Sequence, residues 1–286
     1  MTERPMALKP ILTAHLFAKL EDRLVGLLRS LHRNDWEKQT VATNWRVKDV
    51  AAHLLDTQLR GLSICRDQYV AETADRSSPA ELGTFINRLN REGVGVYRRL
   101  SPDVLISLLE LASRQSCAYH ESLDPFAIAP FPVSWAGEDR SVNWFHTARE
   151  YTERWHHQQQ IRLAIEEFGI DRPGIMTREL YYPVLDCFMR ALPFTYRSVS
   201  GEPGSLLHFI VSGECGGSWY LYRDGESWKL SAEPLGEKAS ETTIPEEIAW
   251  RVFTKGIDRE SAKSQVRISG DTRLGLGILE MICIIA

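Results

Sequence analysis

The 286-residue chain is poor in the features that usually announce a chemistry. Its five cysteines (Cys65, Cys117, Cys187, Cys215, Cys283) are odd in number, widely scattered, and form no C-x-x-C pair. That pattern argues against a disulfide framework and against a cysteine-built zinc site. Such thiols read as small buried hydrophobes in a reducing compartment, and the expected compartment is the cytoplasm. No apolar run approaches the ~20 residues that a membrane span needs. The opening Met1-Thr2-Glu3-Arg4-Pro5 lacks the basic start, apolar stretch and cleavage site of a secretory signal. A formal net charge of −4 offers no bulk attraction to nucleic acid or to anionic lipid. A glycine-rich phosphate loop is missing, because Gly213-Glu214-Cys215-Gly216-Gly217 reads as a turn between strands. No Ser/His/Asp arrangement, internal repeat or low-complexity tract is legible. The expected partner is a small molecule, with neither nucleic acid nor membrane, and the oligomeric state stays open.

What is present is ordinary in bulk and ordered in pattern. Hydrophobic residues at 43% and charged residues at 25% suit a globular chain long enough for two domains. Apolar residues recur at spacings of three and four over residues 8–31, 47–69, 78–100 and 101–119, predicting amphipathic helices. Serine at 78 with proline at 79 makes a helix start. Pro125, Pro130 and Pro132 break regularity between residues 122 and 137, and residues 131–137 read as a loop placed to cover a site. Helical pattern returns from residue 141 to 168, ending near Gly169, and again over 177–192. Beyond Pro193 the period changes to two. Strands are expected around 206–212, 219–221, 228–230, 242–244 and 266–268, with Asp224-Gly225 as a hairpin turn. A helix opens at Pro245-Glu246-Glu247, and Asp271 caps a last one. The expected fold class is α plus α+β. A four-helix bundle occupies residues 1–198, residues 199–204 form a linker, and a small α+β domain occupies 205–286.

One stretch carries more polar chemistry than a helix of this kind needs: Arg149-Glu150-Tyr151-Thr152-Glu153-Arg154-Trp155-His156-His157-Gln158-Gln159-Gln160-Ile161-Arg162. At ~100° per residue, spacings of three, four, seven and eleven return to one face. His146, Glu150, Glu153, His157 and Gln160 therefore form one stripe, flanked by Phe145, Ala148, Trp155, Ile161 and Ala164. A carboxylate and an imidazole one turn apart can hold a divalent metal when a third ligand comes from elsewhere. The competing reading is a solvent-facing row of salt bridges. His53, a polar intruder on the inward face of the second helix, can supply the third ligand; taken alone it reads as a hydrogen-bonded core histidine. A His₂Glu set leaves one position open, as catalytic zinc sites do. His156 points ~100° away from His157, which places it against the loop or at the surface. Arg149 and Arg162 suit either an anionic substrate or structural ion pairs.

Trp45-Arg46-Val47-Lys48-Asp49-Val50-Ala51-Ala52-His53-Leu54 resembles the second-helix signature of the DinB-like, mycothiol-dependent maleylpyruvate isomerase family. The segment from Arg149 to Arg162 is similar to that family's Glu-x-x-x-His helix. Ser269-Gly270-Asp271-Thr272-Arg273-Leu274-Gly275 resembles its C-terminal domain, which has a sterol-carrier-like α+β fold. The resemblance implies a metal, usually zinc, on His53, Glu153 and His157. Glu150, His146, Gln160, Arg149 and His156 would support the ligands or line the cavity. It also implies a low-molecular-weight thiol as cosubstrate, activated at the metal for isomerisation or transfer to a small electrophile. The chain departs from the family at Arg46, where serine or threonine usually caps the helix, a loss of ~1 kcal/mol. Two other classes stand beside this enzyme reading: a non-catalytic small-molecule or thiol-binding protein on the same bundle, and a metal-activated hydrolase. The residues fix neither the thiol nor the electrophile, and His₂Glu also accepts nickel, iron or manganese.

Overall fold

The structure, a computed structural model, describes residues 8–74, 79–166 and 174–284. A helical N-terminal region precedes a five-stranded sheet with its own helices, so the α plus α+β class holds. The helical region contains α1 (Phe17–Arg29), α2 (Val47–Gly61), α3 (Pro79–Tyr97), α4 (Pro102–Ser122) and α5 (Asn143–Glu166). Then come α6 (Arg178–Met189), α7 (Leu192–Thr195), β1 (Leu206–Ser212), β2 (Gly217–Asp224), β3 (Ser227–Ser231) and β4 (Lys238–Pro245). The chain closes with α8 (Glu246–Phe253), α9 (Arg259–Lys263), β5 (Arg267–Gly270) and α10 (Thr272–Leu276).

Two compact units divide these elements. One comprises Leu12–Pro130, Glu150–Ile175 and Ile285–Ala286; the other comprises Met1–Ile11, Phe131–Arg149 and Met176–Ile284. The first unit is built around the predicted leucine periods. Leu24 and Leu28 of α1, Val50, Leu54 and Leu55 of α2, Leu105 and Leu109 of α4, and Ile161 and Ile165 of α5 form one buried cluster. Removing such side chains from water is the main stabilising term, roughly 1.5–3 kcal/mol each. The first helix is shorter than its leucine period suggests: it starts at Phe17 after a 3₁₀ turn at Ala14–Leu16, and Leu12 is exposed. Residues 8–13 precede that turn without regular structure. The second helix stops at Gly61, passes through a π-helical turn at Leu62–Arg66, and leaves the helix where Gln68 takes φ of 57°. The expected cap at Ser78 and the expected end near Gly169 lie outside the described residues.

In the second unit the sheet order is β3-β2-β1-β4-β5, with β1 antiparallel to β2 and parallel to β4. The expected hairpin is present: Asp224 pairs with Ser227 across two residues, and Gly225 takes φ of 58°. Leu207, Phe209 and Val211 alternate inward from β1, the half-buried pattern of a sheet with one covered face. Asp271 caps α10 as the sequence predicts, its Oδ1 accepting the Leu274 N–H at 3.0 Å. Tyr181 and Tyr196 tie helices to this unit through hydroxyls donated to Glu246 O and Leu274 O. Among the described residues no helix is long and apolar enough to cross a membrane.

Candidate metal centre

The entry to α2 is held by backbone pairing ahead of it. Gln39 and Arg46 form an isolated bridge, and the Val47 N–H donates to Lys38 O at 3.0 Å. Thr40 Oγ1 donates to Trp45 O at 2.7 Å, and Gln39 Nε2 donates to the same oxygen at 2.8 Å. Trp45 is thereby fixed at the mouth of the helix. Arg46 occupies the cap position, and a guanidinium, having only donors, cannot accept from the first turn. Asp49 compensates from inside: its Oδ2 accepts the Arg46 N–H at 3.0 Å, one half of a capping box. Its other oxygen meets Arg98 Nε at 3.2 Å. One turn later α2 presents His53, 4% exposed, with the Trp45 ring 4.6 Å from its own.

The α5 stripe does not face solvent. His146, His157 and Gln160 are buried, while Glu150 and Glu153 are half-buried. The reading as a solvated row of salt bridges therefore fails, because the whole turn around Arg154–Arg162 is enclosed. Several polar groups on its other faces find partners, as burial demands, while Gln159 Oε1 is buried without one. Arg154 pairs with Glu21 at 2.9 Å and donates to Ser116 Oγ at 2.5 Å; Glu21 also accepts from Ser113 at 2.8 Å and from Gln58 at 3.3 Å. Trp155 Nε1 donates to Ile175 O at 3.2 Å. Arg162 is buried and donates to Gln158 Oε1 and to Arg23 O on α1, tying α5 to α1.

The remaining polar groups meet His53. Its ring packs edge-on to His157 at 4.6 Å, with Trp45 5.8 Å from His157. His157 Nδ1 lies 2.9 Å from Gln160 Oε1. An amide oxygen only accepts, so Nδ1 carries the proton and Nε2 the lone pair. That nitrogen faces Glu153 Oε2 at 3.7 Å. Burial lowers the His157 pKa to about 3; the neighbouring His156 lowers it further, while Glu153 and Gln160 act in the opposite direction. Burial likewise lowers His156 to about 4 and holds His53 well below the usual range. All three rings are thus neutral near neutral pH, the state in which imidazole ligates metals. His53 Nδ1 is buried with no hydrogen-bond partner.

The structure thus places His157 beside both His53 and Glu153 and makes Gln160 the partner of His157. His156 is corrected: it is 2% exposed, not at the surface, and its ring lies 4.0 Å from that of His157. Donor atoms of Glu153, His156 and His157 fall within 4.8 Å of one another. His146 and Arg149 engage each other instead, Arg149 Nη2 donating to His146 Nδ1 at 3.1 Å. Glu150 is half-buried, and its charge acts on Tyr119. Trp45 lines this cluster, its ring 4.6 Å from that of His53 and 5.8 Å from that of His157; a tryptophan eight residues before a histidine gives no periodic signal of that placement.

Residues 17–162 match the family model described as the mycothiol maleylpyruvate isomerase N-terminal domain. No curated protein matches the chain. Among solved structures, a histidine-to-alanine mutant of the mycothiol-dependent maleylpyruvate isomerase aligns at a TM-score of 0.53 and 11% identity. That alignment covers 90% of this chain and 91% of that one, a likeness of fold. A second structure of the mycothiol-dependent maleylpyruvate isomerase gives a TM-score of 0.47 at 11% identity, over 84% and 86% of the two chains. Half of this chain, including α2 and the histidine-bearing part of α5, falls within the matched model, and the chain belongs to the mycothiol maleylpyruvate isomerase N-terminal domain family.

Proposed function

We propose that His53, Glu153 and His157 hold a divalent metal, zinc in the first instance. At this site the chain would activate a low-molecular-weight thiol for isomerisation of, or transfer to, a small electrophile. The observation that carries the reading is the approach of two lone pairs. Gln160 holds the His157 proton on Nδ1, so Nε2 meets the Glu153 carboxylate across 3.7 Å with no proton between them. A cation between a half-buried carboxylate and a buried imidazole lone pair would stabilise this approach. His53 Nδ1 is a buried ring nitrogen with no hydrogen-bond partner, and the His₂Glu donor set suits zinc.

When bound, the metal stabilises a thiolate over a thiol and so supplies nucleophile near neutral pH. The chain's own groups prepare for this. Gln160 fixes the tautomer of His157, in the way an outer hydrogen bond orients a metal-bound imidazole. Trp45 shields His53 and His157 from bulk water on one side. The Glu21–Arg154 pair locks the opposite face of α5. Three of the protein's five thiols are poorly suited to act as the nucleophile. Burial pushes Cys117 and Cys215 each up to about 11, and Cys283 well above the usual range. A thiol brought in as cosubstrate, as in the mycothiol-dependent enzyme of similar fold, fits that arrangement.

The test is turnover by zinc-loaded protein with mycothiol, bacillithiol and glutathione against maleylpyruvate and simple α,β-unsaturated acids. One thiol should support turnover that His157→Ala reduces by at least a hundredfold. Thiol or ligand binding without turnover across that panel contradicts the enzyme reading and supports a binding protein. Hydrolysis of an activated ester without any thiol points to metal-activated water.

A further inference from the structure

We propose that His156 supplies a fourth protein donor, so that the centre is built from three histidines and one carboxylate: His53, Glu153, His156 and His157. This rests on the metal reading above and extends it. Neighbouring residues on a helix diverge by ~100°, and on that ground one of the two histidines should point away. Glu153 removes the objection, because it lies three residues before His156 and four before His157, and both spacings place side chains side by side on a helix. The outcome is a compact group in which one donor atom each from Glu153, His156 and His157 lies within 4.8 Å of the others. The two imidazoles stand 4.0 Å apart at 36°, and His53 closes on His157 from α2 at 4.6 Å.

His156 is also prepared as a ligand. Its Nδ1 lies 3.0 Å from the Thr152 carbonyl oxygen one turn earlier. A carbonyl can only accept, so the proton is on Nδ1 and the lone pair on Nε2. Metal-bound histidines show this arrangement, with one nitrogen on the metal and the other donating to a carbonyl or carboxylate. Gln160 does the same for His157, so both adjacent rings are held in the same tautomer by acceptors on their own helix. A histidine placed only to fill the core has no need of a carboxylate and a second imidazole within 4.8 Å of one of its ring nitrogens. His53, Glu153, His156 and His157 would then hold the metal through four protein groups.

Zinc-edge X-ray absorption of the full chain loaded with one equivalent of zinc tests this without any mutation. The expected multiple scattering is that of three imidazoles. Two imidazoles, with zinc affinity unchanged in His156→Asn, overturn the proposal while leaving the His53–Glu153–His157 reading in place. A wild-type chain that takes up no zinc overturns both. As an independent measurement, His156→Asn keeps a group able to donate to the Thr152 carbonyl. Zinc affinity by chelator competition should fall at least a hundredfold in this variant. The visible absorption of the cobalt(II)-loaded protein should change shape as one nitrogen is lost. Zinc affinity within threefold of wild type, with an unaltered cobalt spectrum, contradicts the proposal.

Discussion

His53, His156 and His157 share a burial that keeps all three rings uncharged, and this has a consequence for stability. Their folded pKa values lie below the ~6.5 of an exposed histidine, at about 4 for His156, about 3 for His157, and well below the ordinary value for His53. As pH falls below ~6.5 the unfolded chain takes up protons that the folded chain refuses, so the unfolded state gains. The stabilisation is therefore complete above pH ~6.5 and is lost as pH drops through the interval down to the folded values. The expected loss is on the order of 1 kcal/mol per pH unit for each histidine. Thermal unfolding of metal-free protein between pH 7.5 and 4.5 checks this. The midpoint should fall steadily through that range, and a flat midpoint would show that the rings are not buried neutral.

At the level of elements, α5 joins the candidate centre to the core. Glu153, His156 and His157 look one way, while Arg154 reaches Glu21 on α1 and Ser116 on α4, and Gln58 on α2 joins the same network. Because Gln58 and His53 share α2, the buried pair also fixes how α2 and α5 register. Arg154→Met should cost about 3–5 kcal/mol, because Glu21 would stay buried without its cation. Urea unfolding measures this, and adding Glu21→Leu should restore at least half of the loss. A single-variant cost below about 1 kcal/mol would mean that the pair does not organise the bundle. This element also shows what the sequence hides. The stripe of His146, Glu150, Glu153, His157 and Gln160 is legible from the 3.6 period, and so is the need of His53 for a partner. The burial of the stripe is not, because its outward neighbours Arg154, Gln158 and Arg162 are polar and read as solvated. Their acceptors, Glu21, Leu20 O and Arg23 O, come from α1, more than 130 positions earlier. His156 escapes a helical-wheel reading for a related reason: rotation per residue separates it from His157, whereas the shared neighbour Glu153 draws both to one centre.

Across the whole molecule, the texture change after Pro193 correctly separates helical chain from sheet, because periods of 3.6 and 2 are visible locally. The ends of elements are less legible. The leucine repeat runs past the true start of α1, and the backbone reversal at Gln68 has no residue type that announces it. The unit that holds the candidate centre draws on Leu12–Pro130 and Glu150–Ile175, so His53 and His157 meet across a hundred residues of chain. No window of sequence contains that meeting, and only the pairing of two separate motifs suggests it. The proposed resident metal rests on the neutral buried imidazoles and on the approach of His157 to Glu153. The direct measurement is the metal content of the full chain, purified without chelator and dialysed against metal-free buffer, beside His53→Ala and His157→Ala. The account predicts close to one zinc or other divalent ion per wild-type chain and less than a tenth of that in either variant. A folded wild-type chain that holds no divalent metal, or variants that hold as much as wild type, would contradict it.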